Sequence, residues 1–128
     1  MSSRKSDLQL KGHLFRRAGF GTTSQQLENF NVISYEQIVE ELLDVEVDDG
    51  IDQDILYRYC PDFSGGIDMY GAQSSMLYYM IVSKTPLVEK MALFWHGVFA
   101  TAYSKLTQGK ILNNQIEMFR RLALGNMH

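Results

Sequence analysis

The sequence predicts an all-α protein, an irregular bundle of about five to six helices, and three observations support that fold class. Apolar residues recur in several segments at the three- and four-residue spacing that lines one face of a helix. Two capping boxes and one Thr-Pro pair mark where helices begin. The alternating pattern of half-buried strands forms no convincing pair of strands. With 128 residues, the chain is long enough for one domain with a buried core.

The first third of the chain predicts three helices. The first covers about residues 7–17 and ends at Gly19, which we expect to take the left-handed conformation that closes many helices. Residues 23–26 (TSQQ) and residues 34–37 (SYEQ) both fit a capping box. Each box predicts a helix that begins at its first residue, a short one and then a longer one.

An acidic connection is predicted over about residues 44–66, with a helical turn near its middle at about residues 55–59. Its acidic residues resemble a calcium-binding loop at first sight. However, Gly50 stands one position too late for the required turn, and Ile55 occupies the position that needs a bidentate Glu. We therefore interpret the segment as a solvated connection.

Three further helices are predicted after this connection, over about residues 68–83, 86–106 and 111–124. Thr85 as N-cap with Pro86 at the first helical position begins the second of them. Gly125 and Asn126 are the expected C-terminal stop of the third. The predicted interior faces are Met69, Met76, Leu77, Met80 and Ile81 in the first, Leu87, Met91, Phe94, Trp95, Val98, Phe99 and Ala102 in the second, and Leu112, Ile116, Phe119 and Ala123 in the third.

Composition and charge argue against several classes of partner. Twelve basic and fifteen acidic residues give a net charge of -3, and no Lys/Arg run is long enough for a nucleic-acid surface, so we expect no nucleic-acid partner. The single cysteine, Cys60, excludes an internal disulfide. The longest apolar run, residues 76–82, is too short to span a bilayer, so no transmembrane segment is expected. No signal peptide is visible, and a cytoplasmic location is the default expectation.

Three motifs follow one another along the chain: HLFRRAGFG at residues 13–21, PLVEKMALFWHGVFAT at residues 86–101, and QIEMFRRLALGN at residues 115–126. Together they resemble the N-terminal part of the bacterial family called domain of unknown function 1800. The resemblance implies a large, mostly helical protein without an established activity, and some members carry export signals. It also implies a second conserved helical segment after residue 128. We therefore expect residues 1–128 to be a single partial helical domain, an N-terminal fragment whose partner is the missing C-terminal part of the same protein.

His96 is the main candidate for chemistry. It falls off the predicted apolar face of its helix and shares a side with Glu89, seven residues earlier and about 10 Å away along the axis. His96 and Glu89 are the candidate catalytic residues, and His96 with His13 are the candidate metal ligands. Members of the resembled family commonly have a second His where this chain has Val98, which removes one potential ligand. No cofactor is evident.

Two arginine pairs, Arg16-Arg17 and Arg120-Arg121, are candidates for anion binding, because a guanidinium binds phosphate or carboxylate through two parallel hydrogen bonds. The alternative is that they offset the helix dipole at C-terminal ends or pair with nearby acidic residues. We favour that alternative.

Two functional hypotheses follow from the sequence. In the first, the protein has a non-enzymatic structural or interaction role, and the aromatic helix at residues 86–106 is its core. In the second, it is an enzyme, for example a metal-assisted hydrolase, whose site is completed by residues outside this chain.

Overall fold

The computed structural model describes residues 2–44, 50–59, 69–99 and 109–125. Within them lie seven α-helices and no strand, so the all-α prediction is confirmed and the predicted number of five to six helices is close. The α-helices are α1 (Ser2–Ala18), α2 (Ser24–Asn29), α3 (Tyr35–Leu43), α4 (Gln53–Tyr59), α5 (Met69–Val82), α6 (Pro86–Val98) and α7 (Gly109–Arg121), and a 3₁₀ turn, Phe30–Val32, follows α2.

Both predicted capping boxes are present, and they begin α2 and α3. Thr23 Oγ1 accepts from the backbone N–H of Gln26 at 3.2 Å, and Gln26 Oε1 accepts from the backbone N–H of Thr23 at 2.9 Å. Ser34 and Gln37 exchange the same two bonds, both at 3.1 Å. Each box satisfies backbone N–H groups that the first turn of a helix leaves without a partner.

The turn after α1 differs from the prediction. Gly21, and not Gly19, takes a positive φ, of 109°. Gly19 instead allows a close approach, since a Cβ at its position would lie 3.0 Å from the Cβ of Pro86, the first residue of α6. The glycine therefore lets the end of α1 lie against the beginning of α6.

The predicted acidic connection contains the helix α4, which is longer than the expected turn. Asp52 caps it, because Asp52 Oδ1 accepts from the backbone N–H groups of Asp54 and Ile55 at 2.9 and 3.0 Å. Ile51 and Leu56 then pack with Tyr79 of α5 in a buried apolar cluster. The rest of the connection, residues 45–49 and 60–66, lies outside the described residues.

Helix α6 lies centrally and packs against α1, α3, α5 and α7. Glu89, near its beginning, contacts Arg120 at the end of α7, whereas Phe99, after its end, accepts a hydrogen bond from Gln115 in the middle of α7. The predicted continuation of α6 to about residue 106 lies outside the described residues.

The interior face of α7 is the one predicted. Its buried side chains are Leu112, Ile116 and Phe119, followed by Ala123 in the turn after the helix. That turn closes where the backbone N–H of Gly125 donates to the carbonyl of Leu122 at 3.0 Å, which agrees with the expected stop. Asn126 lies outside the described residues.

The predicted interior faces of α5 and α6 are only partly right. Met76 and Met80 of α5 and Leu87, Met91 and Trp95 of α6 are half-buried, while the side chains of Met69 and Ala102 lie outside the described residues. In α5 the buried large side chain is Tyr79, while Leu77 and Ile81 are exposed, Ile81 to 82%. In α6 the buried side chains belong to Glu89 and Ala92, on the side predicted to be polar. Three side chains of the predicted apolar face of α6 are instead exposed: Phe94, Val98 and Phe99.

The Thr-Pro start of α6 is partly as predicted. Thr85 is the N-cap and Pro86 the first helical residue, but the Thr85 side chain makes no capping bond. Its hydroxyl lies 3.0 Å from the hydroxyl of Ser83 instead.

Candidate functional site

A buried ion pair joins α6 to α7. Arg120 Nε donates to both carboxylate oxygens of Glu89, at 3.0 Å to Oε1 and 2.9 Å to Oε2. The Glu89 side chain is 3% exposed and the Arg120 side chain 15%. Because a carboxylate taken out of water is costly to desolvate, the opposite charge of Arg120 is what makes this burial possible.

Tyr79 of α5 lies against the same guanidinium. The Cζ atom of Arg120 is 3.8 Å from the centroid of the Tyr79 ring, a cation–π contact shielded from solvent. The Tyr79 hydroxyl in turn accepts a hydrogen bond from the side-chain amide of Gln53 in α4. One partly buried arginine of α7 therefore contacts side chains of both α5 and α6, and through Tyr79 it is linked to α4.

Two polar atoms of this region are buried without a hydrogen-bond partner among the described residues: Arg120 Nη2 and His96 Nδ1. The His96 ring meets the ring of Phe119 edge-on, with centroids 6.5 Å apart. His96 therefore faces the α6–α7 contact, and its Nδ1 is an available donor or acceptor atom.

Aromatic side chains extend the α6–α7 contact toward the C-terminal end of α6. The Phe99 ring stacks on Phe119 with centroids 6.1 Å apart, and on Trp95 with centroids 5.8 Å apart. Trp95 Nε1 donates to the carbonyl of Ala123 at 3.2 Å, which fastens α6 to the turn after α7. These contacts are ring stacking and one indole hydrogen bond.

The structure brings together only some of the residues predicted from sequence. Glu89 and Arg120 meet, whereas Arg16, Arg17 and Arg121 are exposed at the ends of their helices. For Arg120 the alternative to anion binding is confirmed, because its guanidinium pairs with the acidic residue Glu89. His13 is exposed on α1. No three His, Cys, Asp or Glu side chains within the described ranges are grouped closely enough to hold a metal ion.

Two residues of structural importance escaped the sequence reasoning. Tyr79 is not on the predicted interior face of its helix, and nothing local to α5 signals its arginine partner 41 positions later. Lys11 of α1 is buried to all but 2% of its surface. Its Nζ lies 2.7 Å from Asp7 Oδ2 and donates to the carbonyl of Phe30 at 3.2 Å. The i, i+4 spacing of Asp7 and Lys11 was the available signal.

The described residues therefore form an all-helical domain in which a carboxylate–guanidinium pair joins α6 to α7. The chain belongs to the family described as "Protein of unknown function (DUF1800)", whose model matches residues 13–128. The match covers all three sequence motifs and confirms the resemblance that they indicated. No curated protein and no solved structure matches the chain significantly. None of the described helices is both long and apolar enough to cross a membrane.

Proposed function

We propose that this chain has a structural or interaction role and performs no catalytic chemistry of its own. The observation that carries the proposal is the orientation of α6, the central helix. Its polar Glu89 is buried in the bundle, while Phe94 and Val98 are 54% and 55% exposed. Apolar side chains at successive turns on a solvent-facing side are typical of a surface that another protein covers.

The engagement of Glu89 supports the same proposal. Both of its carboxylate oxygens accept from Arg120 Nε, so a general base or metal ligand at this position would have to give up a buried ion pair. A buried pair of this kind orients the helices that carry it.

A photo-crosslinking experiment tests the interaction role. A photoreactive amino acid replaces Phe94 in the full chain, and the matched control carries it at Gln25, an exposed polar position on α2. We expect defined protein adducts in the cell from position 94 and none of them from position 25. Equal adduct patterns at both positions would contradict the proposal.

The alternative is a metal-assisted hydrolase, and the observation that favours it is His96. Its Nδ1 is buried at the α6–α7 contact and has no hydrogen-bond partner among the described residues. A neutral imidazole with a free nitrogen is a common ligand for zinc.

Elemental analysis of the purified protein separates the two candidates. A stoichiometric metal that is lost in His96→Ala, together with a lower melting temperature in chelator, would establish the alternative. Metal at trace level and a melting temperature that chelator leaves unchanged would exclude it.

A further inference from the structure

A short segment at residues 50–59 lies against α5 and contains the helix α4. A helix of seven residues is too short to be stable alone in water, so α4 depends on the contacts that this segment makes with the rest of the chain. Within the described residues α5, α6 and α7 all pack closely on one another, whereas α4 takes part in none of the close helix pairs. The segment is therefore held by individual side chains.

Tyr79 of α5 provides the first attachment. Ile51 and Leu56 pack on it in a cluster whose members are each 8% to 9% exposed. The side-chain amide of Gln53 donates to the Tyr79 hydroxyl. The same ring contacts the guanidinium of Arg120, so the segment covers one member of the cluster around the buried ion pair.

Lys84, in the turn after α5, provides the second attachment. Gly50 has a φ of 75°, and a Cβ at its position would lie 2.5 Å from Cε and 2.9 Å from Nζ of Lys84. The end of the Lys84 side chain therefore lies directly over the Gly50 backbone. Both attachments come from α5 and the turn that follows it.

We infer that residues 50–59 form a clasp that opens as one unit while α5, α6 and α7 stay folded, and that its opening uncovers Tyr79. Two turns of helix attached through a few side chains have low local stability, and such segments open far more often than the whole domain unfolds. The ion pair and the indole bond that join α6 to α7 involve no residue of the clasp, so opening leaves them intact. The clasp gives Tyr79 a closed and an open state, independently of the proposed interaction role.

Thiol labelling of the full chain measures the opening. Leu56→Cys in the clasp and Leu112→Cys in α7 replace two leucines of similar burial, 8% and 9% exposed, and Cys60→Ser makes each introduced cysteine the only thiol. A buried thiol reacts only when its surroundings open, so the labelling rate reports the population of the open form. Without denaturant, we expect Leu56→Cys to react about a hundredfold faster than Leu112→Cys, which needs global unfolding.

Two glycine variants test whether the described attachments set this rate. Gly50→Ala places a Cβ on a residue with a positive φ and displaces the end of Lys84, so it should speed the labelling of Leu56→Cys about fivefold. Gly21→Ala, at the other described glycine with a positive φ, is the matched control and should leave that rate unchanged.

Trp95→Phe separates opening of the clasp from global unfolding. It removes the indole bond between α6 and the turn after α7, which the open state keeps. It should therefore speed the labelling of Leu112→Cys about fivefold and leave the labelling of Leu56→Cys unchanged.

Hydrogen exchange followed by mass spectrometry gives a second measurement, on the chain without substitutions. Backbone amides of residues 54–59 should exchange about a hundredfold faster than those of residues 113–121. Equal exchange in the two segments, equal labelling of the two cysteines, or a Trp95→Phe variant that speeds both cysteines alike would overturn the inference. A Gly50→Ala variant that labels no faster than Gly21→Ala would also overturn it.

Discussion

Arg120 Nε binds both carboxylate oxygens of Glu89, at 3.0 and 2.9 Å, across 31 positions of sequence. This relationship explains why α6 turns its Glu89 side inward. The pair also sits on the Tyr79 ring, so its two charges are enclosed by three helices.

Removal of either member of the pair should destabilise the fold strongly. Arg120→Met takes the guanidinium away from a buried carboxylate and should lower the free energy of unfolding by about 3 kcal/mol. Glu89→Met should have a similar effect, while the double variant should recover most of the loss because no buried charge then remains. Urea denaturation measures the free energy of unfolding of each variant. Arg121→Met, at an exposed arginine, is the control. Additive losses in the double variant would contradict this account.

Lys11 should matter more than its position on a mostly polar helix suggests. Lys11→Met removes the donor to the Phe30 carbonyl and should cost about 1–2 kcal/mol of unfolding free energy. Asp7→Asn should cost less, because the Asp7 side chain is 45% exposed and its ion pair is weaker in water. Chemical denaturation of Lys11→Met and Asp7→Asn compares their stabilities. Equal denaturation midpoints for the two variants would contradict the larger loss expected for Lys11→Met.

The indole hydrogen bond of Trp95 should stabilise the α6–α7 contact. Trp95→Phe keeps an aromatic ring but removes the bond to the Ala123 carbonyl, with an expected cost of about 1 kcal/mol. Circular dichroism must follow this variant, since Trp95 is the only tryptophan. Leu77→Met, at an exposed position of α5, is the control. A Trp95→Phe variant as stable as the control would argue against the bond.

Two glycines should respond in opposite directions to alanine. Gly21 has a φ of 109° with open space around its Cβ position, so Gly21→Ala should destabilise through the backbone alone, by about 1 kcal/mol. Gly97 lies in the last turn of α6 with no atom near its Cβ position, so Gly97→Ala should stabilise by up to about 0.5 kcal/mol. Thermal denaturation measures both, and shifts of the same sign would contradict the assigned conformations.

Exposed apolar side chains should make the isolated chain prone to self-association. Phe94→Gln and Ile81→Gln should each lower light scattering at high protein concentration without a loss of stability, because neither side chain is buried. Gln25→Ser is the control on a polar surface. A wild-type chain that stays monomeric and melts in one sharp transition at high concentration would contradict the expectation.

The fold class, the helix starts and the family were predictable because they depend on local chemistry. Capping boxes act within four residues, and the boxes that begin α2 and α3 are both present. The interior face of α7 was also predictable, because Leu112, Ile116 and Phe119 recur at helical spacing and all three are buried. Helix α6 has apolar residues on nearly every side, so its sequence pattern does not decide which side is buried.

The sequence by itself therefore determined that the chain is helical, where most helices begin and which family it belongs to. Only the tertiary structure decided that Glu89 faces inward, that Ile81 faces outward and that Arg120 is held between Glu89 and Tyr79. The physical reason is that a buried charge is stable only beside its counter-charge. That counter-charge comes from another helix, so no local pattern around Glu89 could reveal it.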